Sequence, residues 1–222
     1  MAKEGEVVCV TGGSGCIGSW LVRLLLDRGY TVHATVQDLK DESETKHLEA
    51  LEGAETRLRL FQIDLLDYGS IVSAVNGCAG VFHVASPLVH QVSDPQKQLL
   101  DPAIKGTINV LTAAKEAGVS RVVVTSSLMA ITTSSNLPDD IVEAEDCWTD
   151  IEDCKKKGFW YPVSKTLAEK AAWDFSKEKG LDVVVVNPGM VLGPVIPPRL
   201  NASMLMFCNL FQGSALFVQC GF

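Results

Sequence analysis

A single α/β domain built on a doubly wound parallel sheet is predicted by three observations. Strand-length apolar runs alternate with helical patterns along most of the chain. Several of these runs, such as Val122-Val123-Val124 and 183–186, are β-branched at consecutive positions, which suits strands covered by helices on both faces. A glycine-rich turn stands between the first strand and the first helix.

The first strand is read at 7–11 and the first helix at 19–28. That helix carries Trp20, Leu21, Leu24 and Leu25 at core spacing and stops at Gly29, a natural residue just past a helix end. A strand at 31–36 is expected to pair with the first. A strand at 58–64 with a helix at 70–76, a strand at 81–85 with a long helix at 94–117, and a strand at 121–126 come next. Residues 136–158 turn acidic and then basic beyond Pro138 and read as a long excursion from the sheet. A helix at 160–179 and a strand at 183–187, closed by Asn187-Pro188-Gly189, complete the alternation.

The 222 residues are 47% apolar, enough for one well-buried core. A formal charge of −8 argues against an extended basic surface for nucleic acid or anionic lipid. The first residues are charged and run at once into the apolar strand without the pattern of a signal peptide, and no apolar run is long enough for a membrane span. A soluble, cytoplasmic chain is expected. Cys9, Cys16, Cys78, Cys147, Cys154, Cys208 and Cys220 form no CxxC and no Cys/His cluster, so no metal site is expected and reduced thiols are the default. Cys147 and Cys154, flanking an acidic segment with a tryptophan, are the one candidate redox pair.

The turn reads Thr11-Gly12-Gly13-Ser14-Gly15-Cys16-Ile17-Gly18. Gly12 permits a tight turn, Gly15 lets backbone approach a pyrophosphate, and Gly18 lets the helix pack closely on the strand. Free amides at the helix start, those of Cys16 and Ile17 among them, would face the anion. A dinucleotide is the implied ligand, and the sheet is of the Rossmann kind. Asp38, about 20 residues beyond Gly18, is either the acid that holds a ribose 2′-hydroxyl or a solvated loop acid.

Tyr161 and Lys165 are four apart at the start of a predicted helix and so share one face. An ammonium beside a phenol stabilises the phenolate, lowers the phenol's pKa and lets it deliver a proton near neutral pH. Ser126 and Ser127 end the strand before it, at the carboxyl edge where ligands of such sheets bind. A hydroxyl there can hydrogen-bond a substrate carbonyl oxygen.

These segments, TGGSGCIGSWLV at 11–22, DLLD at 64–67, HVASP at 83–87, VVVTSS at 122–127, YPVSKTLAE at 161–169 and NPGMVLGP at 187–194, resemble the plant extended short-chain dehydrogenase/reductases. That family includes cinnamoyl-CoA, dihydroflavonol and phenylacetaldehyde-type reductases. The resemblance implies Ser127 as the catalytic serine, Tyr161 as proton donor, and Lys165 as the residue that holds the nicotinamide ribose and tunes Tyr161. It further implies Asp64 and the Leu65 backbone at the adenine, and Ala85, Ser86, Pro188 and Gly189 along the nicotinamide. His83, Asp67 and Met190 are expected to support the fold. The implied substrate is a small-molecule carbonyl, with no nucleic-acid or membrane partner.

Three departures from the family pattern qualify this. Gln37 stands where relatives that prefer NADPH carry arginine, yet Val36 stands where NAD-specific members keep an acid. The balance favours NADP(H) slightly over NAD(H), with Lys40 or Lys46 as possible helpers. Gly158-Phe159-Trp160-Tyr161-Pro162-Val163-Ser164-Lys165 replaces the NWYCYGK usual in cinnamoyl-CoA reductases, and Thr132 fits neither those enzymes nor dihydroflavonol reductases. Only the stretch 195–222 follows Pro194, and the resemblance ends near Leu210. The chain is therefore expected to comprise a dinucleotide-binding domain at 1–194 and a remnant of the substrate lobe at 195–222, most of that lobe being missing. Exposed apolar surface at Val191, Leu192, Val195 and Ile196, low solubility and little turnover should follow. The expected activity is NAD(P)H-dependent reduction of an aromatic or phenylpropanoid-like aldehyde, ketone or CoA thioester. The alternatives are a catalytically silent dinucleotide-binding protein and a sugar-nucleotide epimerase or dehydratase.

Overall fold

The computed structural model describes residues 5–87, 93–132, 144 and 147–212. Strands β1 (Val7–Thr11), β2 (Thr31–Val36), β3 (Leu58–Gln62), β4 (Gly80–His83), β5 (Arg121–Thr125) and β6 (Val183–Val186) form one sheet in the order β3-β2-β1-β4-β5-β6. All five pairings are parallel, as expected. The order reverses between β1 and β4, so the loops leaving these strands part and open a crevice at their carboxyl ends.

The helices described are α1 (Cys16–Asp27), α2 (Glu42–Glu49), α3 (Ala54–Arg57), α4 (Tyr68–Val75), α5 (Asp101–Glu116), α6 (Ile151–Lys157), α7 (Trp160–Lys179) and α8 (Ala202–Phe211). Alternation along β1 sends Val8 and Val10 to one face of the sheet and Cys9 to the other. Val22, Leu25 and Leu26 of α1 and Leu48 of α2 close the first face. Ile71 and Val75 of α4, Val110 and Leu111 of α5 and Ala172 of α7 close the second. Full burial of a leucine or isoleucine in these layers contributes about 1.5–3 kcal/mol.

Several elements depart from expectation. The core stripe of α1 is Gly18, Val22, Leu25 and Leu26, while Leu24 is exposed and Trp20 instead donates its indole N–H to the Pro194 carbonyl at 2.7 Å. A helix this apolar offers two stripes, and close packing at Gly18 and Ser19 selects the one that meets the sheet. The charged stretch after β2 holds α2, which Asp41 caps by accepting from the Ser43 amide at 2.8 Å. The long fifth helix opens with a wide π turn, Gln96–Leu100, before α5 proper. Much of the excursion at 136–158, Pro138 included, lies outside the described residues, but its end forms α6.

The strand β6 is one of the two edges of the sheet, and its burial is limited. Val183 is buried, but Val184 and Val186 on the opposite face are 37% and 48% exposed, so the expectation of cover on both faces fails here. Exposed apolar surface continues at Leu192, whereas Val191, Val195 and Ile196 are half-buried. α8 buries none of its residues and leaves Phe211 78% exposed. The divergent tail at 213–222 lies outside the described residues. No disulfide joins Cys147 to Cys154. Among the described residues no helix is long and apolar enough to cross a membrane.

Candidate active site

The glycine turn is held against two neighbouring strands. Gly12, at φ +68°, donates its amide to Thr35 Oγ1 at 3.0 Å, and Gly13 donates to the Thr35 carbonyl at 2.8 Å. A β-carbon on Gly12 would lie 2.9 Å from Ala85 Cα, so the turn abuts the chain leaving β4. One on Gly18 would lie 2.1 Å from the Gly12 carbonyl oxygen, which explains a third glycine where α1 meets the turn. Gly15 differs: its β-carbon would meet only the Gly12 oxygen at 3.5 Å, because its other side is open. It is the N-cap of α1 and provides no side-chain cap, so the helix start presents its amides outward.

That open side faces a cavity of about 1190 Å³ along the carboxyl ends of the strands. Gly12, Gly15, Cys16, Ile17 and Gly18 line it, as do Gln37 beyond β2, Asp64 and Leu65 beyond β3, and Ala85 and Ser86 beyond β4. Ser127, Tyr161, Pro188 and Gly189 line its other end. The residues expected at the coenzyme and the carbonyl from the family motifs therefore share this one cavity, except Lys165, which lies beneath its wall. Asp38 is not on the wall, nor are Lys40 and Lys46, and Lys46 is ion-paired with Glu42. Met190 was expected to serve the fold, but it lines the cavity and is 52% exposed.

The tyrosine and lysine are fixed from α7 and the serine from the chain that follows β5. Ser127 caps a short 3-10 turn after β5, its Oγ accepting from the Met129 amide at 3.2 Å. It is also hydrogen-bonded to the Tyr161 side chain. Burial raises the pKa of Tyr161, and that bond opposes the rise. The phenol thus stays protonated at neutral pH, the reverse of the lowering expected from Lys165, because loss of solvent outweighs the stabilisation of phenolate. Lys165 is almost fully buried and donates Nζ to the Thr125 carbonyl at 3.0 Å and to Ser86 Oγ at 3.4 Å. Burial lowers its pKa to about 8, against the opposing pull of Glu169.

A polar network the sequence did not disclose supports this group. Buried Glu169 accepts from Asn187 Nδ2 at 2.8 Å and from the Trp173 indole at 3.3 Å. The Asn187 amide also donates to the Ser127 carbonyl at 3.1 Å, joining the chain at the end of β6 to the loop that carries Ser127. His83 is structural, as expected: it bonds Thr11 at 2.9 Å and Thr107 at 3.2 Å, and burial followed by the Lys165 charge depresses its pKa to about 3. Asp67 caps α4, also as expected. Gly106 and Asn109 of α5 were missed. A β-carbon on Gly106 would crowd Leu65 Cβ at 2.8 Å, and Asn109 donates to the Leu65 carbonyl at 2.9 Å, so α5 seats the expected adenine-side residue. Arg199, Asn201 and Met206 also line the cavity, so part of the stretch read as a remnant forms its wall.

Residues 8–211 match the family described as the NAD dependent epimerase/dehydratase family. This chain belongs to it. Within the family the chain is 52% identical, over 98% of its own length, to cinnamoyl-CoA reductase CAD2 of Medicago truncatula. Vestitone reductase from alfalfa superposes on 92% of the chain with a TM-score of 0.79 at 35% identity. Yeast methylglyoxal/isovaleraldehyde reductase Gre2, in complex with NADPH, superposes on 93% with a TM-score of 0.82 at 27% identity. The chain spans 68%, 63% and 66% of these three proteins, about two thirds of each. The family and the doubly wound sheet agree with the expectation from the motifs.

Proposed function

We propose that this chain reduces the carbonyl of an aromatic, phenylpropanoid-like aldehyde, ketone or CoA thioester with a reduced nicotinamide dinucleotide. The observation that carries the proposal is a protonated phenol, Tyr161, bonded to Ser127 in the same cavity as an uncapped helix start and its glycine turn. The cavity fits a dinucleotide on three counts. Its volume is large enough, its glycine end offers outward amides for a pyrophosphate, and its far end holds Ser126 Oγ, which is buried without a hydrogen-bond partner. Leu128, Met129, Met190 and Met206 supply apolar wall suited to an aromatic substrate.

When bound, the reduced nicotinamide would supply the hydride. Ser127 and Tyr161 would hydrogen-bond the carbonyl oxygen as negative charge builds there, and Tyr161 would pass it the proton. Lys165, one helical turn beyond, would offset the charge left on the phenol. Residues 195–222 would then be the start of a substrate lobe on a dinucleotide-binding domain at 1–194. The coenzyme preference for NADP(H) expected from Val36 has Glu44 weighing against it.

The test is loss of reduced-nicotinamide absorbance on adding cinnamaldehyde-like or phenylacetaldehyde-like carbonyls. Consumption is expected with these and not with nucleotide sugars. Coenzyme binding with no consumption by any carbonyl would instead make the chain a silent binding protein, and conversion of nucleotide sugars would make it an epimerase. The pH profile supplies a second check. Lys165 is a cation below its pKa of about 8 and neutral above it, whereas Tyr161 keeps its proton past the ordinary phenol range. Reduction should therefore decline as pH rises through about 8. A rate that stays flat between about pH 7 and about pH 9 would remove Lys165 from the proton step.

A further inference from the structure

The turn that follows β2 already holds an anion of its own. Successive amides of Gln37 and Asp38 both donate to Glu44 Oε2, at 2.7 and 3.4 Å. Glu44 is the third residue of α2, and it reaches back across the turn to the end of β2 while lining the cavity. The remaining amides of the turn are engaged in the same way. Leu39 donates to Gln62 Oε1 at 3.4 Å, Lys40 to Asp38 Oδ1 at 2.9 Å, and Asp41 to the Asp38 carbonyl at 3.2 Å. Consecutive amides of this kind form a concavity that binds an anion, and here a carboxylate of the chain itself fills it.

In a doubly wound sheet the end of the second strand is where the adenosine ribose of a dinucleotide lies. The residues present do not fit a 2′-phosphate there. The amide pair that would hold it is taken, and no arginine stands at Gln37. Among the described residues, the charged side chains on the cavity wall are Glu44, Asp64 and Arg199, and Arg199 lies close enough to Asp41 to help hold that carboxyl below its usual range, after two hydrogen bonds from Ser43. The slight preference for NADP(H) rested on Val36, with Lys40 or Lys46 as helpers, and left Glu44 out. The acid that decides the matter arrives from the helix beyond β2.

We propose that Glu44 makes this chain select NAD(H) over NADP(H), its carboxylate filling the phosphate seat and accepting instead from a ribose 2′-hydroxyl. This rests on the dinucleotide reading of the cavity and goes beyond it by naming the coenzyme. Fluorescence titration of the 222-residue chain with NADH and with NADPH tests it without turnover. NADH should bind roughly tenfold tighter or better, since a phosphate dianion would face a fixed carboxylate at close range. Glu44→Gln keeps an acceptor for the Gln37 amide and removes the charge, so the gap should narrow by at least half of its logarithm. Gln37→Arg alone, with Glu44 in place to pair with the new guanidinium, should leave NADPH the weaker ligand. Adding it to Glu44→Gln should bring NADPH level or ahead. Circular dichroism melting of each variant verifies folding. Tighter NADPH binding by the unaltered chain, or a gap unmoved in folded Glu44→Gln, overturns the proposal while leaving the dinucleotide site intact. A folded chain that binds neither coenzyme overturns the site reading as well.

Discussion

Replacing Tyr161 by phenylalanine is expected to lower carbonyl reduction by roughly 10²–10⁴-fold, the usual weight of a positioned proton donor. The ring packs at the start of α7 in either residue, and only the hydroxyl that faces Ser127 is lost. Ser127 keeps its bond from the Met129 amide, so its loop should hold. Coenzyme affinity should therefore change by no more than about threefold, a surface-level effect well under 1 kcal/mol. The two readouts separate proton delivery from binding. Reduction at near the original rate in the phenylalanine variant would remove Tyr161 from the chemistry, and loss of both readouts would show that the hydroxyl matters to structure instead. The raised pKa of Tyr161 sharpens the expectation, because a phenol that resists ionisation begins each cycle carrying its proton.

The parts of this site that lie close together in sequence were legible there. The glycine turn is fixed by local backbone needs, and the four-residue step from Tyr161 to Lys165 is a property of any helix. The boundaries of α7, read at 160–179, agree with the structure, and its end carries a local signal in Gly180 at φ +63°. Contacts made across the fold left no such trace. Asn187 reaches Ser127 and Glu169 through side-chain amide bonds that no periodicity encodes. Glu44 sits in a polar helix whose pattern gave no apolar face to follow, and its partner amides lie at the end of a different element. Trp20 and Leu24 were misplaced for a related reason, since an apolar stripe shows that a helix packs but not which side meets the sheet. The β-branched run in β6 likewise looks the same at an edge as in the middle of a sheet, and only the strand order exposes Val184 and Val186.

The second large effect belongs to Gly18. In Gly18→Ala the new β-carbon would lie 2.1 Å from the Gly12 carbonyl oxygen and 2.9 Å from Gly12 C and Gly13 Cα. All three obstacles are backbone, so relief requires the turn to move away from α1. Overpacking of this kind costs about 3 kcal/mol, which for a chain of this size lowers the melting temperature by roughly 6–12 °C. Displacing the turn also displaces the amides at the helix start, so coenzyme binding should weaken by about tenfold or more. Gly15→Ala provides the contrast. Its φ of −74° suits any residue and its β-carbon would make only an ordinary contact at 3.5 Å, so stability should hold while the methyl intrudes on the open side where a pyrophosphate would approach. One glycine then serves chiefly the packing of helix on turn, and the other chiefly the ligand. Equal losses of stability in the two variants would contradict that division, and full coenzyme affinity in Gly15→Ala would mean that the pyrophosphate does not lie against this turn.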